Sequence, residues 1–185
     1  MAHKPQPKTR MSRETLLPLL AAYALQHGFS DASLRPMAKA AGTSDRMLLY
    51  HFGSKQQLMD ELLSHLADIY AAALDDAFPK GRTASLRACI DQVMAATRSD
   101  PFKPFMRLWW QSVAGGVSGE PDWAASSGRI MGTMLRWLEE HLPEGLDDLG
   151  GTAHHMLAVI EGASMLDAVG RSDIGDLAIA KAFPE

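Results

Sequence analysis

Two groups of residues in this chain have types and spacings suited to binding rather than to bond breaking. The first lies between positions 33 and 55, where Ser33, Arg35, Lys39, Thr43, Ser44, Asp45, Arg46, Tyr50, His51 and Lys55 gather hydroxyls, charges and an imidazole. The second is aromatic and methionine-rich: Phe102, Phe105, Met106, Trp109 and Trp110, with Met94, Met131, Met134 and Trp137 on neighbouring stretches. At helical spacing such side chains form either plain core or an apolar cavity that adapts to its ligand, and the sequence leaves both readings open. Arg107, His141 and His154 are candidate polar anchors for a ligand in such a cavity.

Catalytic chemistry finds little support. No nucleophile motif or glycine-rich phosphate loop is present. His154 and His155 are adjacent, so on a helix they point about 100° apart, poor geometry for sharing a metal. Cys89 is the only cysteine. Neither an intramolecular disulfide nor a multi-cysteine zinc site can form, and Leu86, Ile90 and Val93 around it predict a buried, inert thiol. The expectation is a protein that is not an enzyme and needs no cofactor or metal.

The elements that must position these residues are helices. Alanine, leucine and methionine abound while alternating Val/Ile/Thr runs are almost absent, which predicts an all-α chain. With 46% apolar and 22% charged residues, the composition fits a folded globular protein rather than a disordered one. A first helix is expected over Arg13–His27, in which Pro18 either falls in the first turn behind a Thr15 cap or kinks the helix, with Gly28 as its stop. Ser33 is placed to cap a second helix whose Leu34, Met37, Ala38 and Ala41 form one buried stripe, leaving Arg35 and Lys39 outside. Gly42 supplies the positive φ of a tight turn. Ser44 caps a third helix with Asp45 at its positive end; Leu48 and Phe52 share its buried face, and Arg46, Met47, Leu49 and Tyr50 point elsewhere. Two short helices about a glycine turn are the punctuation of a helix-turn-helix. A Ser54-Lys55-Gln56-Gln57 capping box then opens a long fourth helix to about Phe78, ended by Pro79 and Gly81.

Charge supports the same division. Residues 1–60 hold eight Lys/Arg and four acids, whereas the other 125 hold ten and eighteen. A basic end on an acidic body suggests one surface facing a polyanion. Residues 1–12 read as a flexible basic arm. The chain shows no apolar run near the roughly 20 residues that span a bilayer and no secretory signal, so no membrane partner and a cytoplasmic location are expected.

Taken as a set, Gly28-Phe29, Ser33-Leu34, Ala41-Gly42-Thr43-Ser44, Leu48-Leu49-Tyr50-His51-Phe52 and Ser54-Lys55 resemble the N-terminal pattern of the TetR family of one-component regulators. The likeness covers about 50 residues and does not reach residues 80–185. It implies that Ser33 and Lys55 meet phosphates and that Thr43, Ser44, Asp45 and Arg46 lead a recognition helix. There Arg46 could bridge guanine O6 and N7 and Asp45 accept from cytosine N4. Arg35, Tyr50 and His51 join this DNA-contacting set. Two positions depart from the family: its usual tyrosine falls at Leu49, with the aromatic at Tyr50, and its commonly small residue falls at Arg46.

The resemblance also implies a body that holds an effector and pairs with a second subunit. Residues 1–54 are the expected DNA-binding domain and 55–185 the effector-binding and dimerisation domain. Further helices are expected over Thr83–Arg98, from Asp100-Pro101 to about Ala114 with Gly115-Gly116 as its stop, over Asp122–Leu142, Thr152–Val169 and Asp173–Phe183, with a loop at Gly145–Gly151. The ligand-facing set is expected to be Met94, Phe105, Met106, Trp109, Trp110, Met134, Trp137 and His154. The function expected is a sequence-specific regulator, a repressor released from a palindromic double-stranded operator by a small hydrophobic or aromatic effector, homodimeric through its last two helices. A constitutive or architectural DNA-binding protein, and a helical enzyme or carrier, are the competing readings. An enzyme or carrier would explain the aromatic cluster but not the charge asymmetry, and a lack of stabilisation by any ligand would favour the constitutive or architectural reading.

Overall fold

The computed structural model describes residues 11–29, 33–78, 81–119 and 121–185. They form α1 (Arg13–His27), α2 (Arg35–Ala40), α3 (Asp45–Phe52), α4 (Lys55–Ala77), α5 (Leu86–Arg98), α6 (Lys103–Val117), α7 (Pro121–His141), α8 (Leu149–Ala168) and α9 (Ser172–Ala182). Among the described residues there is no strand, and no helix is long and apolar enough to cross a membrane. The fold is all-α. Residues 1–10 of the expected basic arm, and Pro79, lie outside the described residues.

Two apolar cores organise the chain. The first gathers Leu16 and Leu20 of α1, Met37 of α2, Leu48 and Phe52 of α3, and Leu58, Leu62 and Leu66 of α4. Leu20, Leu48, Phe52, Leu58 and Leu62 are wholly withdrawn from solvent, each burial contributing about 1.5–3 kcal/mol. The second core takes Leu74 and Phe78 from the far end of α4 and joins them to Ile90, Val93, Met134, Trp137, Leu138, Met156 and Ile160. A helix of this length therefore crosses from one core into the other. The first core does not close at residue 54: it runs into α4 and receives Leu108 from α6.

Several helix ends differ from expectation, each for a local reason. Ser12, not Thr15, sits at the α1 cap, and Thr15 Oγ1 accepts the Ser12 N–H at 2.9 Å. Pro18 consequently lies inside α1 rather than in its first turn. Helix α5 starts at Leu86 because the Ser85 hydroxyl accepts the Ala88 N–H at 3.1 Å. Thr83 is used elsewhere, donating its N–H and hydroxyl to the His141 carbonyl that ends α7, each at 2.9 Å. Asp100 and Pro101 precede α6 instead of opening it, and Asp100 pairs with Lys103 at 2.6 Å.

Gly115 and Gly116 do not end α6. They lie within it because α7 crosses there: a Cβ on Gly115 would stand 2.7 Å from Trp123 Cγ, and one on Gly116 3.5 Å from the Ala124 Cα. The expected loop at Gly145–Gly151 is shorter, since Asp148 caps α8 by accepting the Gly151 N–H at 2.8 Å. Cys89 is buried, and burial pushes its thiol up to about 11.

Candidate nucleic-acid interface and the cavity behind it

The turn between α2 and α3 is closed by backbone hydrogen bonds. Gly42 N–H donates to the Lys39 carbonyl at 3.1 Å and Thr43 N–H to Ala38 at 2.8 Å. That pair of bonds is a Schellman closure, which needs a left-handed residue at its corner. Gly42 has φ +68° there, with open space where a side chain would stand, so its conformation rather than its size is required. Ser33 Oγ accepts the Arg35 N–H at 3.4 Å at the head of α2. Ser44 Oγ accepts the Met47 N–H at 3.3 Å at the head of α3, and Ser54 Oγ the Gln57 N–H at 3.1 Å at the head of α4.

This closure anchors α3 by Leu48 and Phe52 and leaves its other faces free. Ser44, Asp45, Arg46 and Leu49 are exposed, as are Ser33, Arg35 and Lys55; Thr43 is half-buried. Tyr50 is 78% exposed, far more than a tyrosine in a core would be. Among the described residues the side chains of Arg35 and Arg46 make no hydrogen bond or ion pair. The same outer surface thus carries Thr43–Arg46 at the leading end of α3, with helix heads at Ser33 and Lys55. His51 is placed differently: it is half-buried and its Nε2 is shielded from solvent with no partner. Its carbonyl accepts Arg13 Nε at 2.6 Å, and Arg13 also reaches Glu61 at 2.6 Å and lies over the Phe52 ring. Arg13 thereby ties α1, α3 and α4 together, a role its position in the sequence did not signal.

Behind this unit lies a cavity of about 90 Å³ among α4, α5, α6, α7 and α8. Phe105, Met106, Trp109, Met134 and Trp137 line it, together with Tyr70, Met131, Leu157 and Ile160. Met94, Trp110 and His154 do not. Met94 is spent in the body core. Trp110 is one residue round the helix from Trp109, and His154 is on the exposed side of α8, its Nδ1 2.7 Å from the Gly150 carbonyl. The other expected anchors are committed as well. Arg107 donates to the Leu25 carbonyl at 2.6 Å, and His141 stacks on Trp137 at 4.0 Å between centroids.

Sequence reasoning missed the cavity's carboxylate, Glu161 of α8, which accepts Trp109 Nε1–H at 2.7 Å. Burial pushes its carboxyl above the ordinary range, against the lowering effect of the Trp109 bond. The hidden signal was a lone acid in an otherwise apolar helical run.

Helix α6 joins the two sites. One side supplies Phe105, Met106, Trp109 and Ser112 to the cavity. Another holds α1: Gln111 Oε1 accepts the Phe29 N–H at 2.9 Å, and the Gln111 amide lies against Gly28, where φ is +77°. The turn after α1 is thus bonded to a cavity wall.

The geometry defines a helix-turn-helix protein with a helical body. Residues 21–62 match the family described as bacterial regulatory proteins, tetR family. Similar folds cover nearly the whole chain. A Rhodococcus sp. protein assigned to the TetR-family transcriptional regulators is 20% identical, with 92% of this chain and 95% of that one covered and a TM-score of 0.69. A transcriptional regulator of Streptomyces coelicolor is 22% identical over 94% and 98%, TM-score 0.70, and Salmonella enterica GusR 18% identical over 96% and 94%, TM-score 0.62. No curated protein matches the chain. The N-terminal unit is thus similar to the tetR family over residues 21–62, and the chain as a whole shares the fold of these solved transcriptional regulators.

Proposed function

We propose that the protein is a ligand-responsive repressor that binds a palindromic operator as a homodimer, with the N-terminal unit reading DNA and the rest of the chain sensing an effector. The observation that carries this reading is the exposed leading end of α3, Thr43–Arg46, anchored from behind by Leu48 and Phe52. In the major groove Arg46 would reach a guanine edge and Asp45 a cytosine, while Ser33, Arg35, Tyr50 and Lys55 would meet phosphates. His51 supports this surface from within rather than touching DNA.

Dimerisation is supported by the far end of the molecule. Met165 and Val169 of the α8 end and Ile174 and Leu177 of α9 are exposed. Ala158, Gly162, Met165 and Val169 follow a three–four spacing along α8, and a Cβ on Gly162 would meet nothing within 4 Å. This is an apolar stripe with a low point, suited to close approach of a second copy. Two copies present two reading heads, as a palindrome requires. An effector in the cavity acts only if it binds the DNA-competent and DNA-incompetent arrangements unequally.

The test is binding of the full chain to DNA upstream of its own gene and to random DNA across a salt series. The expected result is preference for the upstream DNA that persists while both affinities fall with salt. Equal affinity for both DNAs would overturn the reading.

A further inference from the structure

The cavity's polar groups are unequally satisfied. Tyr70 hydroxyl lies 3.4 Å from Thr97 Oγ1, which itself donates to the Val93 carbonyl at 2.8 Å. Ser112 Oγ lies 2.6 Å from Ser127 Oγ. Glu161 is the exception. Its carboxylate accepts one hydrogen bond, from Trp109, and among the described residues no cation pairs with it. A carboxylate has about four acceptor positions, and an unpaired one surrounded by apolar groups is costly to hold ionised. The walls of the same cavity carry the rings of Tyr70, Phe105, Trp109 and Trp137, and aromatic faces attract positive charge.

We propose that the cavity selects an organic cation: a compact, preferably aromatic body bearing one amine or quaternary nitrogen, seated against Glu161. This rests on the effector reading above and names the chemical class of the effector. A cation with an apolar body fills the apolar walls and supplies the counter-charge that Glu161 lacks, and that pairing offsets the water the cation loses on entry. Trp109 holds the carboxylate in place through Oε2. An anionic ligand would face Glu161 directly and is disfavoured. A neutral ligand would gain the apolar contacts alone.

The probes are tert-butylammonium and its uncharged counterpart of the same shape, tert-butanol, both small enough for the cavity and soluble in water, titrated into the full-length protein with tryptophan fluorescence and calorimetry as readouts. The wild type is expected to bind the cation at least tenfold more tightly. Glu161→Gln keeps the shape and an acceptor for Trp109 and is expected to abolish that preference while still binding the neutral probe. Equal affinity of the wild type for both probes, or a cation preference that survives in Glu161→Gln, would overturn the cation assignment and leave the cavity as an effector site. Failure of the wild type to bind either probe would overturn the cavity reading and the assignment with it. The wild-type comparison stands alone if the variant does not fold.

Discussion

Arg46 and Glu161 are opposite cases of a charge without a protein partner. Arg46 is exposed at the head of α3, where water satisfies it and where a base edge would replace that water. Arg46→Ala is expected to reduce discrimination between operator and random DNA by about 1–3 kcal/mol at one base pair. Fluorescence anisotropy on both DNAs measures it, and an equal loss on each would assign Arg46 to general phosphate attraction instead.

Glu161 is half-buried, and its partial loss of water holds its proton more tightly in the folded chain than in the unfolded one, whose ordinary value is 4.5. A raised folded pKa gives stability that is fully present below the unfolded value and lost as pH rises through the folded one. Glu161→Gln should therefore melt above the wild type near neutral pH, with the gap closing towards pH 4. Melting curves that stay parallel across that range would contradict the burial argument.

Among the elements, the crossing of α6 and α7 gives the sharpest prediction. Ala in place of a helical glycine ordinarily stabilises by about 1 kcal/mol. At Gly115 the added Cβ would press on the Trp123 indole at 2.7 Å, and overpacking of this kind costs about 1–3 kcal/mol. Gly115→Ala should lower the melting temperature, while Gly128→Ala, which meets nothing within 4 Å, should raise it. Shifts of the same sign at both sites would refute the close crossing.

The same glycines show where the sequence was readable. Capping residues and apolar stripes made α1 to α4 legible almost to the residue, because their signals are local: Ser44, Ser54, Gly42, and Leu48 with Phe52. Gly115 and Gly116 read locally as a stop, yet Trp123 and Ala124 of α7, packed against them, need them thin. Glu161 and Gln111 were illegible for a related reason, since their meaning comes from Trp109 and Phe29, 52 and 82 residues away.

At the scale of the molecule, the two cores, the α4 that enters both, and the α6 bonded to α1 connect the cavity to the reading head. The opposite end carries the apolar stripe of α8 and α9. Part of the close contact between those helices is internal, since Ala163 and Gly175 touch: a Cβ on Gly175 would be 3.1 Å from the Ala163 Cα. Gly162, Met165 and Leu177 are left uncovered, and the proposed dimer would use them. Replacing Met165 and Leu177 together by Glu is expected to weaken the dimer at least about tenfold, ~1.4 kcal/mol, without loss of helicity. Sedimentation equilibrium reads the change, and an unaltered dimer would move the interface elsewhere.

Hydroxyl-radical footprinting of the full chain on its upstream DNA tests the central claim most directly, because it shows both reading heads at once. The account predicts two symmetric protected patches whose centres lie about 10–10.5 base pairs apart, or a whole multiple of that. A single patch, or even coverage regardless of sequence, would contradict it.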